Sequence, residues 1–219
     1  MNSPQPVCVK FKLRAPVVIS PTDKYLDALL SWAAVQRSEW LDEEDPWSAQ
    51  HDIGIAKHHV GDQWCFMAGS LQYEWNSPPF QLHYIKRSKL EDYAGAWDAG
   101  LLKKIPYFDA ASGRTKAGSY IQTLRWTDSV KAYAVIEDME RFEQLLPWVT
   151  AIGKLHHKGK GAVKSFVVAH DETANEVWSQ RNLPSGSPFA IQHAPTIGGL
   201  KSPYWKRENH VELVGFAPV

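Results

Sequence analysis

Ile152-Gly153-Lys154-Leu155-His156-His157-Lys158-Gly159-Lys160-Gly161-Ala162-Val163 runs directly into Lys164-Ser165-Phe166-Val167-Val168-Ala169. Through Lys164 the stretch holds three glycines, four lysines and two histidines. Glycine lets backbone approach a ligand closely and leaves N–H groups exposed. Phosphate is the ligand this mixture suits. The spacing is not GxxxxGK[ST], and the glycines lead into a strand rather than a helix. That sets aside a mononucleotide-binding loop and a GxGxxG dinucleotide turn. A polynucleotide backbone fits better, with Lys154, Lys158, Lys160 and Lys164 pairing with phosphates and the N–H groups of Gly159 and Gly161 adding hydrogen bonds. An ordinary basic turn is the plain alternative.

Upstream of the loop, Phe142, Leu145, Leu146, Val149 and Ile152 mark the apolar stripe of a helix. Pro147 is expected to kink or divide it, and Gly153 to cap it. Residues 120–126 and 130–136 are β-rich and flank Thr127-Asp128-Ser129, which reads as a hairpin. Residues 64–75 and 80–86 are strand-like on either side of Asn76-Ser77-Pro78-Pro79. The tract between them and the hairpin is rich in Gly and Ala and reads as an exposed loop or arm.

At the start of the chain, Val7, Val9, Phe11 and Leu13 alternate with Cys8, Lys10, Lys12 and Arg14, a strand with one buried face. Its cations either border a binding groove or are simply solvated. Ser20 or Thr22 would cap a helix over about 24–36 with the stripe Leu26, Leu29, Leu30, Ala33. Residues 38–63 read as an irregular acidic loop. Glu39, Asp42, Glu43, Glu44 and Asp45 are either solvated or a surface for a protein partner.

The 219 residues carry 24 basic and 24 acidic groups, which excludes a sequence-blind polycation but not a local basic groove. The charge is segregated. Residues 1–75 hold 6 basic and 10 acidic groups, and residues 152–219 hold 8 and 5. Two cysteines, Cys8 and Cys65, make no disulfide framework or zinc pattern, and a reducing cytoplasm is the expected setting. No apolar run reaches the length of a membrane span.

With these segments in place, the chain resembles the CRISPR-associated RAMP superfamily. The stretch 152–163 is similar to that superfamily's glycine-rich loop between the last core helix and last core strand. The likeness is greatest to the Cas-five group in its type IV form. Leu26-Asp27-Ala28-Leu29-Leu30-Ser31-Trp32-Ala33 resembles the first helix of those proteins. Ser112-Gly113-Arg114-Thr115-Lys116 resembles their basic arm. Arg181-Asn182-Leu183-Pro184 with Pro203-Tyr204-Trp205 resembles their C-terminal third.

The resemblance implies an α+β, ferredoxin-like (RNA-recognition-motif-like) core in a single domain over 1–219. It implies an inserted arm or thumb at about 76–119, the glycine-rich loop at 153–163 and a β-rich extension at about 171–219. It implies a non-catalytic subunit of a type IV effector complex that caps the 5′ handle of the crRNA. Backbone RAMP subunits, the large subunit and target DNA near the protospacer-adjacent motif would be its neighbours. No cofactor, metal or membrane is expected.

The implied RNA contacts are Lys154, His156, His157, Lys158, Gly159, Lys160, Gly161 and Lys164 in the loop. Gly113, Arg114 and Lys116 lie in the arm, with Lys103 and Lys104 nearby, and Lys10 and Lys12 on the first strand. Tyr120, Trp126 and Tyr204 could stack on bases, although core packing is the preferred role for Trp126. The enzyme alternative is a metal-independent crRNA-processing endoribonuclease using His156 and His157 as general acid and base. A metal-dependent hydrolase built on His58, His59, Asp52 and Asp62 lacks any organising spacing.

Overall fold

The computed structural model describes residues 3–18, 25–86, 118–191 and 193–216. They divide into two units, residues 1–78 with 125–219, and residues 79–124.

The first unit begins with β1 (Gln5–Leu13) and β2 (Val17–Val18), then α1 (Leu26–Trp40). Strands β3 (Lys57–Val60), β4 (Gln63–Phe66) and β5 (Gln72–Trp75) follow. In the second unit, β6 (Phe80–Lys86) pairs antiparallel with β7 (Gly118–Arg125), whose last residue belongs to the first unit. The chain then continues through β8 (Thr127–Ile136), α2 (Met139–Leu145), β9 (Val163–His170) and α3 (Ala174–Val177). It ends with β10 (Leu183–Pro184), β11 (His193–Gly199) and β12 (His210–Phe216).

The central sheet has the order β5-β8-β1-β9, and every neighbour is antiparallel. Alternation along β1 decides its two faces. Val7, Val9 and Phe11 are buried, and Phe11 lies opposite Val130 on one side and Phe166 on the other. This inner face packs on Leu26, Leu30 and Ala33 of α1 and on Phe142 and Leu145 of α2. Each such leucine or phenylalanine contributes roughly 1.5–3 kcal/mol by leaving water. A second, smaller core lies under the β10-β12-β11 sheet around Trp178, Cys65 and Leu213. Fold class is therefore mixed α and β with antiparallel sheets.

Several expectations are corrected. Helix α1 begins one residue after Tyr25, whose side chain does not cap it; the Leu26 N–H instead donates to the Gly69 carbonyl at 3.3 Å. Ser20 and Thr22 lie outside the described residues. The supposed loop 38–63 contains the end of α1, a 3-10 turn at Pro46–His51 and strand β3 paired with β4. The strands flanking Thr127 form no hairpin. Strand β7 pairs with β6, and β8 pairs with β1 and β5. Pro147 does divide the second helix, which passes into a 3-10 turn at Leu146–Trp148. Gly153 caps nothing, because that turn ends at Val149.

Among the described residues, no helix is long and apolar enough to cross a membrane. Both cysteines are free, and burial pushes the Cys65 thiol up to about 11. Cys8 is only half-buried. We therefore expect Cys8 to react with a disulfide reagent at pH 8 in the native protein and Cys65 to react only after unfolding. Equal rates for both thiols would contradict the burial of Cys65.

Candidate nucleic-acid interface

Segment 153–161 is a compact, internally braced loop. Gly153, Gly159 and Gly161 all have positive φ (88, 71 and 62°), as does Leu155 at 61°. Between them His156–Lys158 forms one 3-10 turn. The base of the loop is pinned by backbone. Ile152 N–H donates to the Gly161 carbonyl at 2.9 Å, Val163 N–H to Thr150 at 2.9 Å and Arg14 N–H to Ala162 at 2.9 Å. Lys154 also bridges Val18 of β2.

This bracing changes the expected chemistry. The Gly159 N–H donates to the His156 carbonyl at 2.8 Å and the Gly161 N–H to the Pro16 carbonyl at 2.9 Å. Both amides are thus committed within the fold, so that any phosphate contact would fall to side chains. Lys154, His156, His157, Lys158 and Lys164 are exposed, and Lys160 is half-buried. The two imidazoles meet edge to face at 5.8 Å.

Lys164 falls at a bulge in β9, between the Lys12–Ser165 and Leu13–Val163 pairs. Lys12 and Lys164 therefore lie at the end of the sheet from which the loop springs. Lys10 is further along β1, opposite Lys131 of β8, whose ammonium is bound to Glu74 at 2.5 Å. Register thus places Lys12 and Lys164 at the loop's end of the sheet, while Lys10, on the same outer face as Lys12, lies further along beside the Lys131–Glu74 ion pair.

The other candidates fare differently. Gly113, Arg114, Lys116, Lys103 and Lys104 lie outside the described residues. Tyr120 stacks on Tyr84 within the β6–β7 ladder, with centroids 5.5 Å apart and planes 17° apart. Trp126 does not pack in the core, being 43% exposed. The Tyr204 hydroxyl is bound to Arg181 and Asp27, and its ring lies 5.5 Å from that of Tyr25. His58 leans on Trp178 and Phe189 and hydrogen-bonds Ser187 at 3.0 Å. Among the described residues, no group of three His, Cys, Asp or Glu side chains could hold a metal ion.

Two features were missed in the sequence. The first is a buried cluster where three of the family-like segments meet. Arg181 and Asp27 are both fully buried and paired at 3.1 Å. The Arg181 guanidinium also donates to the carbonyls of Phe66, Ala68 and Leu200, each at 2.9 Å, and to the Tyr204 hydroxyl at 2.6 Å. Its face covers the Tyr25 ring at 4.5 Å. Burial alone would pull the guanidinium down, but the Asp27 carboxylate and Tyr204 outweigh it and hold Arg181 firmly charged. Burial pushes the Tyr204 hydroxyl well up, so it stays protonated and donates to Asp27.

The second feature is a groove of about 700 Å³ above this cluster. Tyr25 and Tyr204 line it, together with Trp32, Trp47, Trp148 and Trp205. Gly153 and His156 of the glycine loop also line it. Ten tryptophans in 219 residues were the available signal.

No curated protein matches the chain. A family model described as CRISPR type IV associated protein Csf3 matches residues 5–215, which include β1, the central sheet, the glycine loop and the C-terminal strands. The chain therefore belongs to the CRISPR type IV associated protein Csf3 family and takes part in a type IV CRISPR system.

Proposed function

We propose that the chain is a non-catalytic, RNA-binding subunit of a type IV CRISPR ribonucleoprotein. In this reading it grips the 5′ handle of the crRNA and joins the backbone and large subunits around it. The observation that carries it is the braced loop 153–161, which presents Lys154, His156, His157 and Lys158 outward beside Lys12 and Lys164. A rigid loop presents its cations without a large ordering cost on binding. The sheet supports the same reading. Helix α1 follows β1 and α2 follows β8, and the order β5-β8-β1-β9 is that of a βαββαβ ferredoxin-like unit. That order supports the reading of a RAMP-like core.

The decisive experiment uses the purified chain and a 5′-end-labelled repeat RNA, with a scrambled RNA of equal length and with and without EDTA. Selective binding without cleavage is expected. Cleavage at one site that resists EDTA would overturn the non-catalytic assignment and make His156 and His157 the first acid–base suspects.

The triple variant Lys154→Ala, Lys158→Ala, Lys160→Ala should bind the repeat RNA more weakly. Its log–log salt slope should be shallower by about 2, because about three phosphate contacts to single-stranded RNA are lost. An unchanged slope would remove the loop from the interface.

A further inference from the structure

Exposed aromatic side chains can stack on bases, but here an aromatic groove is joined to an acidic end that a phosphate backbone does not explain. Trp40 and Trp205 are each 73% exposed, and Trp32 and Trp47 nearly half exposed. Trp32 and Trp40 lie on one side of α1, eight residues and about 12 Å apart. Trp32 faces Trp47 at 6.4 Å, and Trp40 faces Trp148 at 5.8 Å. Trp148 in turn lines the groove. Leu29, Val149 and Ile197 supply the aliphatic walls. Exposed aromatic surface on this scale marks an interaction site.

One end of the ridge is strongly acidic. Glu39, Asp42, Glu43, Glu44 and Asp45 follow one another around Trp40 and Leu41, with no basic residue among them. Among the described residues none of these carboxylates forms an ion pair. They are held in place by backbone. Leu41 N–H donates to the Arg37 carbonyl at 3.0 Å, Asp42 N–H to Glu39 at 3.2 Å and Glu43 N–H to Ser38 at 3.1 Å, while the Ser38 hydroxyl donates to the Glu43 carboxylate.

These acids sit at the C-terminal end of α1, where the helix dipole already concentrates negative charge. They destabilise the helix they end, so helix stability does not account for them. Phosphate would be repelled there. A cation would be attracted by the carboxylates and by the helix end together.

We propose that this groove docks an amphipathic segment of a protein partner, with apolar side chains seated among Trp32, Trp47, Trp148 and Trp205 and a Lys- or Arg-rich end against residues 39–45. An apolar face laid into a groove supplies affinity, and the charged end fixes orientation and speeds encounter. The surface differs in chemistry from the cationic loop, which it meets at Gly153 and His156. One subunit can therefore hold RNA and a protein neighbour at once.

The test uses the full chain co-expressed with the other subunits of its complex. A photo-crosslinking phenylalanine analogue replaces Trp40 in one variant and Trp205 in another, and the assembled complex is irradiated and digested. Crosslinks should map to a partner peptide with several Lys or Arg residues beside apolar ones. Crosslinks to crRNA, to a second copy of this chain or to an acidic peptide, or none from either position, would overturn the proposal.

Independently, the double variant Glu44→Lys, Asp45→Lys should weaken association with the crosslinked subunit at least tenfold. Its binding of repeat RNA and its melting temperature should not fall. Unchanged or tighter association would overturn the assigned charge of the partner. Weak RNA binding by wild type in the same assays would count against the loop assignment alone.

Discussion

Arg181→Met should lower the unfolding free energy by about 3–5 kcal/mol, because it breaks a fully buried ion pair and leaves Asp27 uncompensated. For a chain of this length that corresponds to a fall in Tm of roughly 6–20 °C. The arginine does more than pair with one carboxylate. It ties α1 through Asp27, the β4–β5 connection through the Phe66 and Ala68 carbonyls, and the C-terminal segment through Leu200 and Tyr204.

Arg181→Lys should fail nearly as badly, since an ammonium cannot reproduce the planar fork that reaches these acceptors. A buried pair can often be replaced as a whole by apolar residues with little loss. Here the double variant Asp27→Leu, Arg181→Met should recover only part of the stability. The Ala68 carbonyl loses its guanidinium donor, whereas Phe66 keeps the Ala68 N–H at 2.9 Å and Leu200 keeps the Tyr204 hydroxyl at 3.4 Å; an unsatisfied buried group costs about 1–3 kcal/mol. Urea unfolding of the three variants measures all of this. A loss below about 1 kcal/mol for Arg181→Met would show that the cluster does not hold the C-terminal third in place.

The same cluster shows why part of the fold was legible in the sequence and part was not. Strand β1 could be read because one face is dry and the other wet, which writes a period of two into Val7 through Leu13. The stripe of α1 was legible for the same reason. Its start was not, because the first amide is satisfied by Gly69, more than forty residues away.

Thr127-Asp128-Ser129 has the composition of a turn, yet Thr127 is buried and its hydroxyl donates to the Glu74 carbonyl at 2.8 Å. Tertiary contacts thus draw the segment straight into β8. A buried arginine runs against the usual exposure of its type. Arg181 therefore carried a family likeness without any sign of its role.

The cationic character of the loop was visible in its lysines. The commitment of its glycine amides was not, because the partner of Gly161 is Pro16 at the other end of the chain. The groove needed Trp32, Trp148 and Trp205 together, and no local pattern joins residues so far apart.

Gly161→Ala should damage the loop far more than Gly159→Ala, although the two glycines have nearly the same φ. Their φ values are +62 and +71°, a region that costs an alanine about 1–2 kcal/mol. A Cβ on Gly159 would meet nothing within 4 Å. One on Gly161 would lie 1.7 Å from the Ile152 carbonyl oxygen and 2.8 Å from its carbon, both backbone atoms. That carbonyl cannot swing aside cheaply. Ile152 N–H is bonded to Gly161 itself, and Ala151 bridges Ala162 immediately beyond.

Relieving the clash therefore means opening the pinned base of the loop. Gly159→Ala should cost about 1–2 kcal/mol and leave RNA affinity within about twofold, since conformational strain is its only penalty. Gly161→Ala should cost at least about 1–3 kcal/mol more through the lost backbone pairing. It should also weaken repeat-RNA binding about tenfold, equivalent to about 1.4 kcal/mol, because Lys154, Lys158 and Lys160 would no longer be held in register. Thermal unfolding and RNA titration of the two variants side by side separate the effects. Destabilisation of Gly161→Ala with undiminished RNA affinity would mean that the loop's shape matters to the fold and not to the ligand. Equal behaviour of the two variants would mean that the close approach of Gly161 to Ile152 is relieved without opening the base.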